Sequence, residues 1–154
     1  MKRIRAVGIL IKKNKVLLIH RKNEKEYWVF PGGGVEEKES IEEAIIRELQ
    51  EETSIVIKIN KLLYHHIYDN NTEQFFYLCD YIFGEPRLAE DFPEKIEKLE
   101  GKDFFDPFWF SIGELKSILL YPLEIRDWFL EDIKDNFNKK RETAYIKFEK
   151  RREE

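Results

Sequence analysis

The chain has 154 residues, of which 42% are hydrophobic and 14% aromatic, so it is long enough to bury the core of one domain. Charged residues make up 38% of it, but the net charge is only −4, which argues against a general affinity for DNA or RNA. No apolar run reaches the roughly 18 residues of a membrane span, and the single cysteine, Cys79, excludes an internal disulfide and fits a cytoplasmic protein.

The first part of the chain predicts three short strands and a glycine turn. Residues 4–11 and 15–20 are rich in aliphatic side chains, and Asn14 between them favours a tight turn. The basic residues at the start precede an apolar stretch that is too short for a signal peptide, so we expect a strand there. Residues 27–30 form a third apolar segment, and the three glycines at 32–34 let the backbone bend or approach another group closely.

A helix is predicted from about residue 41 to Thr53. Ser40 is a favourable N-cap residue, and Glu43 follows three positions later, which is the pattern of a capping box. Isoleucine or leucine at every fourth position, starting from Ile41, gives this helix one apolar face. That face is expected to pack against the core.

Eight glutamates fall between Glu36 and Glu52, a density of like charge that destabilises a helix unless something compensates it. At about 100° per residue, Glu48, Glu51 and Glu52 share one face, and Glu52 falls within the apolar stripe. A carboxylate at the edge of a core is costly unless it is paired or bound to a metal. Closely spaced carboxylates suit Mg²⁺ or Mn²⁺, and Arg47 could bind a neighbouring carboxylate. The alternative is an ordinary glutamate-rich surface helix with Glu–Arg pairs.

Two further strands and a loop-rich segment are predicted after this helix. Residues 55–59 alternate between isoleucine and polar residues, and residues 73–83 are apolar and aromatic. A turn is expected at 69–71, before the second of these strands. Prolines and glycines make 84–107 loop-rich, with a short helix expected at about 93–100.

The C-terminal part predicts one strand and two more helices. Residues 108–110 are aromatic and favour a strand, after which Ser111 and Glu114 repeat the capping-box pattern and predict a short helix. Pro122 can begin a longer helix. Its apolar side chains recur at every fourth position: Ile125, Phe129, Ile133 and Phe137.

A single domain is expected over residues 1–138. Residues 139–154 carry seven basic and four acidic side chains. We interpret them as a charged C-terminal helix extension or tail.

Residues 33–55 resemble the box of the MutT-like Nudix hydrolases, written G-x5-E-x7-R-E-U-x-E-E-x-G-U, where U is a bulky aliphatic residue. The box begins at Gly33 and closes at Ile55. The fixed positions between them are occupied by Glu39, Arg47, Glu48, Leu49, Glu51 and Glu52. Ser54 stands where the family has a late glycine, and we expect it to change the helix exit without removing a ligand.

The resemblance implies an α/β (α+β) Nudix fold, in which a mixed β-sheet is sandwiched between α-helices. It implies a Mg²⁺-dependent pyrophosphohydrolase, with Mn²⁺ as a substitute, that cleaves a nucleoside diphosphate linked to another moiety. The reaction would be attack of a metal-activated water on phosphorus. The substrate stays open between a nucleoside triphosphate, oxidised or not, and ADP-ribose or a nucleotide sugar.

The resemblance also implies roles for residues of the box. The metal ligands would be three carboxylates and one backbone carbonyl, those of Glu48, Glu51, Glu52 and Gly32. Arg47 is expected to orient the glutamates and completes the catalytic set. Gly33 and Glu39 would support the structure of the box.

Outside the box, three residues are candidates for substrate binding. The family often draws a further carboxylate from a later loop, and we favour Asp103 and Asp106, with a solvated loop charge as the alternative for each. Arg21 ends the second predicted strand and could contact a phosphate, or it could be an exposed structural arginine. Four aromatic residues could stack on a base, with core packing as the alternative: Tyr27, Trp28, Phe75 and Tyr77.

Three further polar or reactive residues are interpreted as structural. His65 and His66 point to opposite faces if residues 62–68 form a strand, so both cannot serve one site there. Cys79 lies in an apolar strand and is expected to be a buried packing residue.

The expected partner is a small-molecule nucleotide, with no nucleic acid and no membrane. The aromatic content is compatible with a homodimer. Two other classes of function remain open: a catalytically inactive Nudix-like nucleotide-binding regulator, and a structural or interaction protein whose glutamate helix is only a charged face. An enzyme would turn over its substrate, whereas the regulator would only bind it. A structural or interaction protein would bind no divalent metal.

Overall fold

The structure is a computed structural model that describes residues 2–22, 24–68, 71–87, 104–141 and 144–146. The helix expected at about 93–100 lies outside the described residues, as does most of the turn expected at 69–71. Among the described residues, no helix has the length and apolarity needed to cross a membrane.

Within these ranges the chain forms nine β-strands and two α-helices. The strands are β1 (Arg3–Lys12), β2 (Lys15–Lys22), β3 (Glu26–Val29), β4 (Gly32–Gly34), β5 (Val56–Tyr68), β6 (Thr72–Phe83), β7 (Phe104–Ser111), β8 (Leu120–Tyr121) and β9 (Ala144–Ile146). The α-helices are α1 (Ile41–Thr53) and α2 (Leu123–Asp132), with short 3₁₀ helices at Ile112–Ser117 and Ile133–Asp135.

The strands form one curled, mixed sheet in the order β8-β3-β2-β1-β6-β5-β9, to which β4 is added on β1 and β7 on β2. β1 runs parallel to β6, whereas its pairings with β2 and β4 are antiparallel. The hairpin between β1 and β2 is paired only at its closed end, at Ile11–Val16 and Lys12–Lys15. The two halves of the sheet therefore diverge beyond this hairpin.

The sheet buries a core on each of its two faces. On one face, α1 packs through Ala44, Ile45 and Leu49 against Leu10 and neighbouring strand residues. On the other face, α2 packs against the sheet through a larger cluster. Its largest buried members include Leu18, Phe30, Phe76, Ile125 and Phe129. The sheet is thus sandwiched between helices, which confirms the predicted α/β (α+β) fold class.

The start of α1 is as predicted. Ser40 is the N-cap residue, and its hydroxyl accepts a hydrogen bond of 3.0 Å from the backbone N–H of Glu43. The Glu43 carboxylate in turn accepts one of 2.8 Å from the Ser40 N–H, which completes the capping box. This cap fixes the start of α1, with six residues between it and the glycine strand.

The end of α1 differs from the expectation for Ser54. Ser54 is the C-cap and has a left-handed backbone, with φ 63° and ψ 18°. Its N–H donates to the Gln50 carbonyl at 3.0 Å. The expected change of helix exit was therefore wrong, because Ser54 adopts the conformation for which glycine is usually selected.

The second predicted capping box was also wrong. Ser111 makes no side-chain hydrogen bond to the helix that follows, and that helix is a 3₁₀ segment of six residues. Ser111 is still paired with Lys15 at the end of β7, so sheet pairing sets its backbone conformation. The strand itself starts earlier than predicted, at Phe104.

The last predicted helix ends sooner than its apolar pattern indicated. α2 stops at Asp132, and after a 3₁₀ turn both Asn136 and Phe137 have positive φ angles, of 62° and 60°. Phe137 is nevertheless buried in the core. Of residues 139–154, predicted to be a charged helix extension or tail, 139–141 and 144–146 are described. The first three are not helical, and 144–146 form strand β9 beside β5.

Candidate active site

The glycine strand β4 lies directly on β1, with Gly32 opposite Val7 and Gly33 opposite Ala6. A Cβ atom added to Gly32 would lie 2.3 Å from the carbonyl oxygen of Ala6. No other residue could take that position without moving the backbone. The glycines therefore allow a close approach of two strands, as their sequence predicts.

Two carboxylates of α1 reach consecutive residues of this strand. The N–H of Gly32 donates a hydrogen bond of 2.9 Å to Oε1 of Glu52. A Cβ on Gly33 would lie 2.5 Å from Oε2 of Glu48, so the missing side chain makes room for this carboxylate. Glu52 is only 8% exposed, which confirms that it lies within the buried stripe of the helix. Because the two residues are four positions apart, one face of α1 delivers both carboxylates to the same place.

Arg47 connects the remaining acidic residues of the box. Its Nε and Nη2 atoms lie 2.7 and 3.0 Å from the two carboxylate oxygens of Glu39, which is a bidentate pair. Its Nη1 atom donates to both Glu48 and Glu51, at 2.9 and 3.0 Å. Its Nη2 atom also reaches the carbonyl oxygen of Gly34 at 3.1 Å. The guanidinium of Arg47 thus contacts the loop before α1, the glycine strand β4 and α1 itself.

The pKa values of these groups follow from their contacts. The hydrogen bonds from Arg47 lower the pKa of Glu39, and the same pairing raises the pKa of Arg47. Burial raises the pKa of Glu48, and the charge of Glu51 adds to this, while Arg47 and Arg5 oppose it. Glu48 is therefore a largely buried carboxylate whose charged form is disfavoured by burial and only partly stabilised by Arg47 and Arg5.

Among the described residues, no three acidic, histidine or cysteine side chains lie close enough together to hold a metal ion. The contacts of the three predicted ligands explain this. Arg47 occupies the space between Glu48 and Glu51, and Glu52 is turned to the amide of Gly32. The donor set still suits a hard cation, since it consists of carboxylate oxygens, and those of Glu48 and Glu51 already meet at one cationic nitrogen.

A cavity of about 420 Å³ opens next to Glu52 and Gly32. Its walls come from β1, β2, β3, β6, β7 and β8, so it lies where the two halves of the sheet diverge. The described cationic and aromatic residues that line it are Arg3, Arg5, Arg21, Tyr27, Phe30, Phe76, Phe105 and Tyr121. A cationic cavity beside a cluster of carboxylates is a suitable place for a metal-bound phosphate compound.

The three substrate-binding candidates have different outcomes. Arg21 lines the cavity, and its guanidinium lies 4.8 Å from the ring centre of Phe105. Asp106 follows Phe105 on β7, so its side chain points to the opposite face of that strand, and it is not among the described residues that line the cavity. Asp103 lies outside the described residues.

Of the four aromatic candidates, Tyr27 lines the cavity. Trp28 is buried in the core on the α2 side, where core packing is its role. Phe75 stacks on the ring of His65, with centroids 4.4 Å apart. Tyr77 packs against the core on the α1 side. Trp28 and Tyr77 therefore have the core-packing role that was the alternative, whereas Phe75 is half-buried and packs on His65 outside the core clusters.

The residues interpreted as structural are placed as expected. His65 contacts Glu73, while His66 is fully buried and contacts Gln74 on the other face of β5. Cys79 is 3% exposed, and burial raises the pKa of its thiol to about 12. A thiol of that pKa is a poor nucleophile near neutral pH.

The sequence analysis missed Arg3 and Arg5, two of the three arginines of the cavity. The available signal was the alternation in β1, where residues two apart share a face. Val7 continues that face and also lines the cavity. The alternation could have placed the two arginines on one face, but only the folded sheet shows that this face meets Glu52.

Comparison with known proteins shows similarity over most of the chain. The NUDIX domain matches residues 2–130. The ADP-ribose pyrophosphatase of Methanocaldococcus jannaschii is 36% identical over 108 residues, which span 64% of this chain and 59% of that protein. An 8-oxo-dGTP diphosphatase of Buchnera aphidicola is 37% identical over 86 residues, which span 54% of this chain and 69% of that protein.

A solved structure shows the same fold. The crystal structure of a MutT NUDIX hydrolase from Burkholderia pseudomallei superimposes with a TM-score of 0.64 and 27% sequence identity. The match covers 86% of this chain and 98% of that one. The architecture, the glutamate box and the similar proteins therefore all indicate the same family.

Proposed function

This chain belongs to the Nudix family, and from that premise we propose that it is a divalent-metal-dependent pyrophosphohydrolase of small nucleotides. The observation that carries the proposal is the arrival of Glu48 and Glu52 at two consecutive glycines beside a cationic cavity. A surface helix with solvated glutamates would not bury Glu52 or need Gly33 as space for Glu48. The arrangement suits a metal-bound phosphate instead.

The proposed roles follow from the contacts. Glu48, Glu51 and Glu52 would hold the cation, with the carbonyl of Gly32 as a further ligand, and Arg47 would keep the carboxylates in position. A bound Mg²⁺ would supply a water molecule of lowered pKa and would neutralise charge on the phosphate oxygens. The chain's own task is to hold these oxygens in a fixed orientation beside the cavity.

The proposed substrate is a nucleotide with a phosphoanhydride bond. The two relatives are named for ADP-ribose and for 8-oxo-dGTP, and both compounds contain a nucleoside diphosphate unit. The cavity of about 420 Å³ lies within the range of small-molecule sites. Arg21 is proposed to contact a phosphate of the bound compound.

The first test is a hydrolysis panel with Mg²⁺, comparing the wild-type chain with Glu52→Gln. The panel contains nucleoside triphosphates, 8-oxo-dGTP, ADP-ribose, nucleotide sugars and dinucleoside polyphosphates. We expect EDTA to abolish turnover of the preferred compound and Glu52→Gln to lower kcat by about a hundredfold or more, because a charged oxygen ligand is lost. Mn²⁺ binding followed by electron paramagnetic resonance should weaken in parallel.

Glu42→Gln is the matched control, since Glu42 is an exposed carboxylate on the same helix. Its activity should stay close to that of the wild type. Equal activity of both variants would contradict the proposal. Nucleotide and metal binding without any turnover would identify a regulator instead.

A further inference from the structure

Strand β6 forms an uncharged wall of the cavity. The described residues of β6 that line the cavity are Thr72, Gln74 and Phe76, which alternate along the strand and therefore share one face. The described arginines of the cavity come from β1 and β2 instead. On the β6 side, a ligand therefore meets hydrogen-bonding groups that carry no charge.

Gln74 supplies an amide group to this wall. Its amide nitrogen lies 3.0 Å from Nδ1 of His66, and this is the one hydrogen bond that the Gln74 side chain makes within the described part of the chain. A side-chain amide has two donors on its nitrogen and an acceptor oxygen. Because the nitrogen donates to His66, the oxygen on the other side of the planar group can accept a hydrogen bond from a ligand.

His66 fixes the direction of this amide. It lies directly opposite Gln74 in the pairing of β5 with β6, and on its other side it is paired with Ala144 of β9. Its side chain is fully buried, and its ring lies edge-on to that of Phe76, with centroids 6.4 Å apart. With Gln74 as the donor, Nδ1 is the acceptor nitrogen of a neutral imidazole. The buried ring therefore holds the Gln74 amide in one orientation.

Gln74 lies at some distance from the proposed metal site. Strand β1 lies between β4 and β6, and its Val7 is opposite both Gly32 and Phe76. Gln74 is therefore two strands across and two residues along from Gly32. At about 4.8 Å between strands and 3.3 Å per residue, the two backbones are about 12 Å apart. This separation suits the sugar or base of a nucleotide whose diphosphate is bound to the metal at Gly32.

We propose that Gln74 is a specificity-determining residue that accepts a hydrogen bond from an N–H or O–H group of the bound nucleotide, and that His66 is the positioning residue for its amide. The inference rests on the proposed function and deepens it, because it names the part of the substrate that this wall recognises. An acceptor oxygen does not suit a phosphate, whose oxygens are acceptors themselves. The donor is a sugar hydroxyl or an amino group of the base.

The test measures how well the full chain discriminates between a substrate and an analogue that lacks one donor. For the compound that is turned over best with Mg²⁺, kcat/KM is compared with that of analogues lacking the 2′-hydroxyl, the 3′-hydroxyl or the amino group of the base. We expect one of these deletions to lower kcat/KM about threefold to tenfold, the range for one neutral hydrogen bond. The analogue that shows the loss distinguishes a sugar donor from a base donor.

Variants of the two residues make the result specific. Gln74→Met removes the amide and keeps the length of the side chain, so the same deletion should then change kcat/KM by less than about twofold, because the coupling is lost. His66→Leu should also reduce the discrimination, since nothing then directs the Gln74 amide. His66→Asn can place an amide oxygen near the position of Nδ1 and should restore part of it. Gln50→Met, the same change at an exposed glutamine of α1, is the matched control and should keep the wild-type discrimination.

The ratio of kcat/KM between two compounds separates this role from a merely structural one. A variant that folds less completely loses activity toward both compounds equally, so its ratio stays at the wild-type value. An unchanged ratio in Gln74→Met or His66→Leu would overturn the inference and leave the hydrolase proposal intact. The absence of discrimination against every analogue by the wild-type chain would do the same.

A binding experiment decides the inference if the proposed function fails. When no compound is hydrolysed, calorimetry with methylene-bridged analogues of ADP, with and without each donor, measures the same ratio as Kd values. A wild-type preference that Gln74→Met abolishes supports the inference. Equal affinities for all analogues, or no binding of any of them, would overturn it.

Discussion

At the scale of single residues, Arg47 is the centre of the box. Its guanidinium contacts Glu39, Glu48, Glu51 and the carbonyl of Gly34, so its donors hold three separate parts of the chain. A lysine could not reproduce these contacts, because its ammonium group is a point charge without the planar fork of the guanidinium. The density of glutamates in this segment is thus partly compensated within the protein itself.

A glycine-to-alanine pair tests whether the position of Glu48 matters for activity. A Cβ on Gly33 would lie 2.5 Å from the Glu48 carboxylate, whereas a Cβ on Gly34 would meet nothing within 4 Å. We expect Gly33→Ala to displace Glu48 and to lower kcat by about tenfold to hundredfold, as when the support of a metal ligand is lost. Gly34→Ala should retain nearly full activity.

Both variants would be assayed after their thermal unfolding has been compared with that of the wild type. Loss of activity in Gly33→Ala with a native unfolding transition is the expected result. Similar activity in the two variants would show that the space beside Gly33 has no part in the function.

Residues of the box were predictable because their spacing is local. The 3.6-residue period of the helix is enough to place Glu52 in the buried stripe, and the structure confirms it. Arg3 and Arg5 were not predictable in this way. Their approach to Glu52 depends on the pairing of β1 with β4, and nothing in the local sequence specifies that pairing.

At the scale of elements, the exit of α1 is one of the positions where a residue other than glycine has a left-handed backbone conformation. Ser54 has a φ of 63°, a conformation that costs a residue with a side chain about 1 kcal/mol relative to glycine. Its hydroxyl donates a hydrogen bond of 2.7 Å to the carbonyl of Arg87, so it joins the helix end to the segment after β6. A polar cap contact thus offsets part of the cost of the conformation.

The pair Ser54→Gly and Ser54→Ala separates these two effects. Both variants lose the hydroxyl bond to Arg87, but only glycine also removes the strain. We expect Ser54→Gly to be more stable than Ser54→Ala by about 1 kcal/mol, measured by urea unfolding. Equal stability of the two variants would mean that Ser54 does not keep its left-handed conformation in solution.

Elements were predictable where local signals act alone. The capping box at Ser40 and the strands β3 and β5 follow from side-chain pattern, and the structure confirms them. The glycine segment before α1, predicted as a turn, is strand β4, because its backbone pairs with β1. The same capping pattern failed at Ser111, because pairing with Lys15 in the sheet outweighs a local side-chain bond. Sequence reasoning of this kind is weakest where a strand end and a helix start coincide.

At the scale of the whole molecule, the curl of the sheet creates the cavity. β1 and β2 are paired only near their shared turn, so their other ends separate and leave space between the two halves. That space is lined by residues from both halves and lies beside Glu52. Because it depends on contacts between distant strands, the side-chain pattern of a single segment does not predict it.

A buried network links Arg141, which follows α2 and its 3₁₀ turn, to the body of the domain. Asp132 at the end of α2 is 3% exposed and accepts a hydrogen bond of 2.8 Å from the hydroxyl of Tyr64. Arg141 binds both of its oxygens, at 2.6 and 2.9 Å. Burial, together with the hydrogen bond to Asp132, raises the pKa of Tyr64, so this hydroxyl remains a donor at neutral pH.

Removing the cation from this network should destabilise the whole fold. Arg141→Met leaves the Asp132 carboxylate buried with only the Tyr64 hydroxyl among these partners, and breaking a buried ion pair in this way costs about 3–5 kcal/mol. Lys139→Met is the matched control, since Lys139 forms an exposed pair with Glu131 at 3.4 Å and should change stability by less than about 0.5 kcal/mol. Urea unfolding at pH 7 measures both.

Adding Asp132→Asn to Arg141→Met should recover part of the loss, because the buried charge is then gone. If Arg141→Met is no more destabilising than Lys139→Met, the contact between Arg141 and Asp132 contributes nothing measurable to the stability of the domain.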